Sequence, residues 1–241
     1  MNNLKNKTAF ITGGSKGIGF GIAQALINQG VNVAITSRSL ESAEKAAKQL
    51  TTTDAKALGL EADVRSLKDQ EEAIKKTVAE FGQVDFVIAN AGLGHFANIT
   101  DLTETQWNET IDTNLTGVFY TIKSSLEELK KSEGYFITIS SLAGTNFFPQ
   151  GTAYNASKFG LTGFSQALML DVREYGISVS TIMPGSVSTH FNGNDPEEKK
   201  DAEAWKIQIE DIGEIVVDLF KMNKRTLPSK IEVRPSRPDK K

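Results

Sequence analysis

Short runs of β-branched and apolar residues alternate along the chain with longer stretches in which apolar positions recur every three or four residues. The short runs predict strands over Thr8–Thr12, Val31–Thr36, Ala55–Leu60, Val84–Ala89, Tyr135–Ser140 and Ile177–Met183. The longer stretches predict helices over Ile18–Gln29, Leu40–Leu50, Leu67–Phe81, Thr105–Lys131, Ala153–Tyr175 and Ala202–Met222. Strand, helix, strand, repeated, means parallel strands joined by crossovers, hence an α/β doubly wound parallel sheet with helices on both faces. Lys230–Arg234 can add a last strand, for about seven in all. Gly30, Gly82 and Gly176 follow predicted helices, where a left-handed residue ends a helix at little cost. No Pro- or Ser-rich linker and no repeat interrupts the alternation, so residues 1–241 are expected to form a single domain. The polar stretch Asn192–Glu203 reads as an exposed segment, and its place after a ligand-contacting turn makes 190–205 a candidate substrate lid.

Composition narrows the function. With 27 Lys and Arg against 30 Asp and Glu, the net charge is -3, so no sequence-wide basic field exists to hold a nucleic acid or an anionic membrane. The chain has no cysteine, which removes disulfides, thiolate zinc sites and thiol nucleophiles together, and leaves His95 and His190 as its imidazoles. The opening MNNLKNKTAFITGG lacks a signal peptide's apolar stretch and nothing later reaches membrane-spanning length. A soluble, cytoplasmic protein is expected.

The first strand runs into Thr12, Gly13, Gly14, Ser15, Lys16, Gly17, Ile18 and Gly19, after which a helix begins. A turn without β-carbons lets the main chain approach a diphosphate, and the helix start favours negative charge. The spacing Gly13-x-x-x-Gly17-x-Gly19 is neither the G-x-G-x-x-G fingerprint nor a P-loop, and a tight structural turn would show the same glycines. Its place in the first βα crossover, where open parallel sheets carry their nucleotide crevice, favours a dinucleotide. A NAD site usually has an acid after the second strand, but the segment Ala34-Ile35-Thr36-Ser37-Arg38-Ser39 has none before Glu41. Arg38 and Lys16 instead suit a 2′-phosphate, which favours NADP(H) over NAD(H).

Tyr154 and Lys158, in Tyr154-Asn155-Ala156-Ser157-Lys158, lie one helical turn apart on one face. An ammonium beside a phenol stabilises phenolate and draws its pKa toward the range of acid/base work, although such pairs are also ordinary on helix surfaces. Thirteen positions before Tyr154 stands Ser141, in ITISSLAG. Together with TGGSKGIG, Asp63-Val64, Asn90-Ala91-Gly92, Asn114 in TNLTG and Pro184-Gly185-Ser186-Val187-Ser188-Thr189, these motifs resemble the short-chain dehydrogenase/reductase family over nearly the whole chain.

That resemblance implies a Rossmann-like fold and reversible hydride transfer between a nicotinamide and a carbonyl or secondary alcohol, with no metal. It implies that Ser141 binds the substrate oxygen, Tyr154 transfers the proton, and Lys158 binds the nicotinamide ribose while lowering the Tyr154 pKa. Asn114 would hold a water in the proton relay, on a locally distorted helix. Ser140 is the rival to Ser141; adjacent strand residues face opposite ways, so only one can reach Tyr154, and family spacing selects Ser141. Gly13, Ser15, Lys16, Gly17, Ile18, Gly19 and Arg38 would hold the phosphates of the cofactor. Asp63 and Val64 would meet adenine, Asn90 and Gly92 the ribose side, and Pro184, Gly185, Val187 and Thr189 the nicotinamide.

Two features depart from the family pattern. Ala89 stands where many members have asparagine, and the ending SKIEVRPSRPDKK lacks the glycine-rich close of most 3-oxoacyl-carrier-protein reductases. A small-molecule carbonyl or alcohol is the expected substrate, with a 3-oxoacyl thioester or a non-catalytic dinucleotide-binding role as alternatives. A homo-oligomer, dimer or tetramer, is expected. Residues 93–99, 142–150 and 190–205 would shape substrate choice; Phe147, Phe148 and Phe191 would line an apolar pocket or pack elsewhere. His95 and His190 are assigned loop or packing roles.

Overall fold

The computed structural model describes residues 3–193, 196, 198 and 202–238. Seven strands form one sheet: β1 (Thr8–Ile11), β2 (Asn32–Ser37), β3 (Ala57–Glu61), β4 (Phe86–Ala89), β5 (Tyr135–Ile139), β6 (Ser178–Pro184) and β7 (Lys230–Val233). Their order is β3-β2-β1-β4-β5-β6-β7, and every pairing is parallel. The chain winds outward from β1 to β3, returns to β4 beside β1, and winds outward the other way. The switch point, where doubly wound sheets open a crevice, therefore lies between the carboxyl ends of β1 and β4.

The strands are apolar on both faces because helices cover both. On one face Ala9, Ile11, Ile35, Ile137 and Ile182 pack against α1 (Gly17–Ile27) and α7 (Ile209–Lys221), through Ile22, Leu26, Ile212 and Val216. On the other, Phe10, Ala34, Val87, Phe136 and Val179 pack against α3 (Leu67–Phe81), α5 (Gly117–Ser132) and α6 (Thr152–Val172), through Ile74, Ile122 and Leu161. Adjacent residues such as Phe10 and Ile11 enter opposite layers, as the two-residue strand period requires. A further helix, α2 (Leu40–Leu50), follows β2 and is capped by Ser39, whose side chain accepts from the Ser42 amide at 3.3 Å.

At the amino ends of the strands the buried Asp85 accepts from the Lys7 ammonium, the Thr8 amide and the Gln83 side chain, each at 2.8 Å, which fixes β1 against the segment entering β4. Three charge-assisted bonds to one buried carboxylate offset its desolvation.

The elements differ from the sequence expectation in two instructive places. The helix expected over Thr105–Lys131 is α4 (Glu104–Ile111), a π-helical turn over Asp112–Thr116, and α5. The Gly117 amide reaches back five residues to the Asp112 carbonyl, the signature of an inserted residue that period counting does not register. The helix expected from Ala202 begins only at Ile209, because the preceding backbone pairs elsewhere. Ser188 N–H donates to the Ile207 carbonyl at 2.9 Å and Ile207 N–H to the Ser186 carbonyl at 3.1 Å. Gln208 and Asp211 then form a capping box that starts α7. Gly30, Gly82 and Gly176 all take positive φ, and Lys230–Val233 forms the last strand. Part of the candidate lid, residues 194, 195, 197 and 199–201, lies outside the described residues.

Candidate active site

A cleft of about 690 Å³ opens at the switch point. One end is built by the turn between β1 and α1. Gly13 and Gly17 have φ of +64° and +59°, left-handed values that side chains disfavour. A β-carbon on Gly19 would stand 2.5 Å from the Asn90 amide nitrogen and 2.6 Å from the Gly13 carbonyl, so glycine is required for the turn to close against β4. No side chain caps α1, and its first turn carries no acid. Its initial N–H groups and positive dipole end are thus left for an anion in the cleft, a cradle that fits a dinucleotide diphosphate.

Thr12 and Asn90 knit the two strand ends together. Thr12 Oγ1 accepts from the Asn90 and Ala91 amides at 3.0 and 3.1 Å, and Asn90 Nδ2 donates to the Thr12 and Gly13 carbonyls at 2.9 and 3.1 Å. Asn90 is thereby a brace for the glycine turn as well as part of the cleft wall.

Beyond β2, Lys16, Arg38 and Lys45 line one groove with Ser37, Ser39 and Ser42. Three cations in one groove, with Arg38 next to the Ser39 cap of α2, suit a phosphate group. Lys45 carries no motif signal; it reaches the groove only because α2 turns it there. On the adjoining wall Asp63 is held below the usual carboxylate range, chiefly by the side-chain bonds from Arg65, whose guanidinium lies 2.6 Å away. Arg65 also lines the cleft.

At the opposite end stand Ser141, Tyr154 and Lys158. Ser141 is the second residue past β5, and its Oγ accepts from the Ala143 amide at 3.1 Å. Tyr154 and Ser141 line this end of the cleft together, close enough for the Ser141 hydroxyl to act on the Tyr154 phenol. Ser140 faces away: its Oγ lies 3.1 Å from Thr162 Oγ1 and 3.3 Å from the Lys158 carbonyl. Lys158 is buried, with Nζ donating to the Ile139 carbonyl at 3.0 Å and standing 5.7 Å from the centre of the Tyr154 ring. Burial pulls its pKa down to about 8. Burial likewise pushes the Tyr154 pKa up, opposed by the Ser141 hydroxyl. Desolvation of the ring and the Ser141 hydroxyl thus act on the phenol in opposite directions, with the desolvated Lys158 ammonium 5.7 Å from the ring centre.

The cleft brings together every residue the sequence suggested for the cofactor except Gly19, which lies beneath it: Gly13, Ser15, Lys16, Gly17, Ile18, Arg38, Asp63, Val64, Asn90, Gly92, Tyr154, Lys158, Pro184, Gly185, Val187 and Thr189. Asn114 is fully buried behind the wall. Its Nδ2 donates to the Leu93 carbonyl at 2.8 Å and to Ser157 Oγ at 3.0 Å, and its Oδ1 accepts from the Leu93 amide at 2.9 Å. The side chain fastens the 91–94 wall to α6, and Asn114 lies within the π-helical turn Asp112–Thr116, the local helix distortion that the family resemblance implied. Sequence reasoning also passed over Asn155, whose Nδ2 donates at 2.8 Å to both the Ala143 and Asn146 carbonyls and so ties down the loop after Ser141. Its place inside YNASK was the available signal.

Residues 7–200 match the short chain dehydrogenase family, and the chain belongs to it. An uncharacterised oxidoreductase of Staphylococcus saprophyticus is 32% identical over 240 residues, covering 98% of this chain and 100% of the relative. A 3-oxoacyl-(acyl-carrier-protein) reductase of Chlamydia muridarum is 37% identical over 193 residues, 78% of this chain and 77% of that one. The chain spans only 17% of the glycine betaine reductase of Emericella nidulans, to which it is 33% identical over 216 residues. Among solved structures, an alcohol dehydrogenase from the archaeon Thermococcus sibiricus, complexed with 5-hydroxy-NADP, superposes with a TM-score of 0.87 at 32% identity, covering 97% of this chain and 99% of the other. The protein is an oxidoreductase of the short-chain class with a Rossmann-like parallel sheet. None of its described helices is long and apolar enough to cross a membrane.

Proposed function

We propose that the protein is an NADP(H)-dependent oxidoreductase that interconverts a small-molecule carbonyl and its secondary alcohol, with Tyr154 as the acid/base. The observation that carries this reading is the convergence of Tyr154, Ser141 and a buried ammonium at one end of a cleft whose other end holds Lys16 and Arg38, with Lys45 in the adjoining groove. The cationic groove suits the 2′-phosphate of NADP(H), and the Thermococcus relative was solved with a derivative of that cofactor.

When bound, the dinucleotide supplies the hydride and its electron pair to the carbonyl carbon and takes them back in the reverse direction. The protein handles the proton and the charge. Ser141 and Tyr154 present two hydroxyls to the carbonyl oxygen, and Tyr154 gives up its proton as that oxygen becomes an alkoxide. Tyr154 carries its proton at neutral pH, as a phenol ordinarily does, so it enters the reducing direction as the donor. Lys158 carries the charge that steadies the resulting phenolate, and its bond to the Ile139 carbonyl fixes it there. Asn114 and Asn155 hold the two loops that flank the hydroxyl pair.

The similarity to the Chlamydia reductase favours one second reading, reduction of a 3-oxoacyl thioester. The chain is further read as one domain acting as a cytoplasmic homo-oligomer. The test is a panel of ketones, aldehydes and 3-oxoacyl thioesters, followed by the near-ultraviolet absorbance of the reduced nicotinamide. Consumption of NADPH with free carbonyls supports the reading, consumption with thioesters alone favours the second, and no consumption with any class contradicts both.

A further inference from the structure

Tyr154 sits in a cluster of aromatic rings. Phe96 meets it edge-on with ring centres 5.4 Å apart, and Phe191 is 5.8 Å away. Phe96 and Phe191 are 6.4 Å apart, and Phe148 extends the cluster 5.9 Å beyond Phe96. The rings come from three separate loops and converge over Gly94, where an added β-carbon would stand 2.8 Å from the Phe96 ring and 3.0 Å from Phe191. Despite these contacts Phe96, Phe148 and Phe191 remain 36%, 43% and 39% exposed. Phe147, by contrast, is 85% exposed and takes no part in the described ring contacts.

The wall is anchored. The Ala97 amide donates to the Gln150 carbonyl at 3.0 Å, joining the loop that carries Phe96 to the loop that carries Phe148. Asn155 holds the second loop from beneath, with Phe148 N–H donating to its Oδ1 at 3.4 Å. A preorganised aromatic surface offers an incoming ring edge-to-face and stacked contacts without the cost of ordering loops.

Charge points the same way. Among the described residues lining the cleft, Lys206 is paired with the buried Glu203 and Lys158 is directed to the Ile139 carbonyl. Arg65 is bound to Asp63, while Arg38 and Lys16 belong to the distant groove. Among the described residues lining the cleft, no lysine or arginine beside the ring cluster is left to pair with a carboxylate, and a desolvated unpaired carboxylate is costly.

From this arrangement we infer that the substrate is a neutral carbonyl compound bearing an aryl group next to the C=O, with the ring held by Phe96, Phe148 and Phe191 and the oxygen at Tyr154 and Ser141. The inference deepens the proposed reaction and rests on it for turnover, but ring binding is separable from chemistry.

The test compares kcat/KM for phenyl methyl diketone, diacetyl, benzoylformate and an acetoacetyl thioester, with NADPH as reductant. The aryl diketone should exceed diacetyl about tenfold or more, mainly through KM, and benzoylformate should lose most of that advantage. Phe96→Ala and Phe191→Ala should each lower the aryl-to-diacetyl ratio about fivefold or more. A ratio near one in the wild type, a ratio unchanged in both variants, or a preference for the thioester would overturn the inference. Saturation-transfer NMR of phenylethanol with the wild-type protein gives a readout independent of turnover. If no carbonyl is reduced, the proposed reaction fails. Ring-proton contact that disappears in Phe96→Ala would still sustain the aryl site, whereas no contact would overturn it.

Discussion

The Lys158 ammonium and the Ile139 carbonyl are joined by a 3.0 Å hydrogen bond in a site without water-accessible surface to spare. One neutral acceptor does not replace the hydration of a cation, so the Lys158 pKa falls to about 8. The unfolded chain holds that proton until near pH 10.4. Between these values the unfolded state binds more protons than the native state, so the contribution of this group to stability rises with pH across that window. Below the lower value both states are protonated and the full cost of burying the charge, roughly 3 kcal/mol, is present.

Thermal melts between pH 7.5 and 9.5 test this linkage. The wild type should gain Tm relative to Lys158→Met as pH rises, the variant having lost the titration. A constant difference between the two would mean that the lysine titrates no lower than in the unfolded chain.

Arg38→Asp should weaken NADPH more than NADH and move the preference toward NADH, because it removes the planar cation and adds a repelling carboxylate. Lys45→Ala should act in the same direction with a smaller effect, about three- to tenfold in NADPH affinity, since a lysine contributes a point charge without the fork. Titrating cofactor fluorescence in the two variants measures both. Loss of NADPH and NADH affinity in equal proportion would remove these cations from 2′-phosphate recognition.

Asn114→Ala leaves the Leu93 amide and carbonyl and the Ser157 hydroxyl without their partner. Buried polar groups stripped of a partner cost about 1–3 kcal/mol each before relaxation, so a stability loss of roughly 2–4 kcal/mol is expected in urea unfolding. Turnover should fall with it as the wall beside Tyr154 loosens. A variant of native stability would show that the amide holds nothing in place.

At the far end of the sheet, Asp85→Ala removes the acceptor shared by Lys7, Thr8 and Gln83. The buried Thr8 amide then lacks its partner, and a loss of about 2–4 kcal/mol is expected without a change in cofactor affinity. Urea unfolding and cofactor titration on one preparation separate the two effects.

The parallel sheet was legible because its strands are short apolar runs punctuated by glycine, and the motif residues were legible because they fall at strand ends and on one turn of α6. Features that depend on three-dimensional pairing were not. The π turn at Asp112–Thr116 preserves an apolar repeat on either side, so periodicity reads one helix there, and only the family resemblance at Asn114 pointed to the distortion. The late start of α7 comes from amides satisfied by Ser186 and by the Val187–Ile207 bridge, long-range partners that periodicity does not encode. Lys45, Phe96 and Asn155 reach the site through the packing of α2, the loop after β4 and α6, and their residue types alone are ordinary for a surface or a helix.

The most direct measurement of the central claim is the activity and cofactor binding of Tyr154→Phe. The substitution deletes one hydroxyl and keeps the ring against Phe96 and Phe191. The account predicts NADPH binding within about threefold of wild type and a fall in kcat of about a hundredfold or more, the usual size of a lost general acid. Near-normal kcat with intact binding would contradict it.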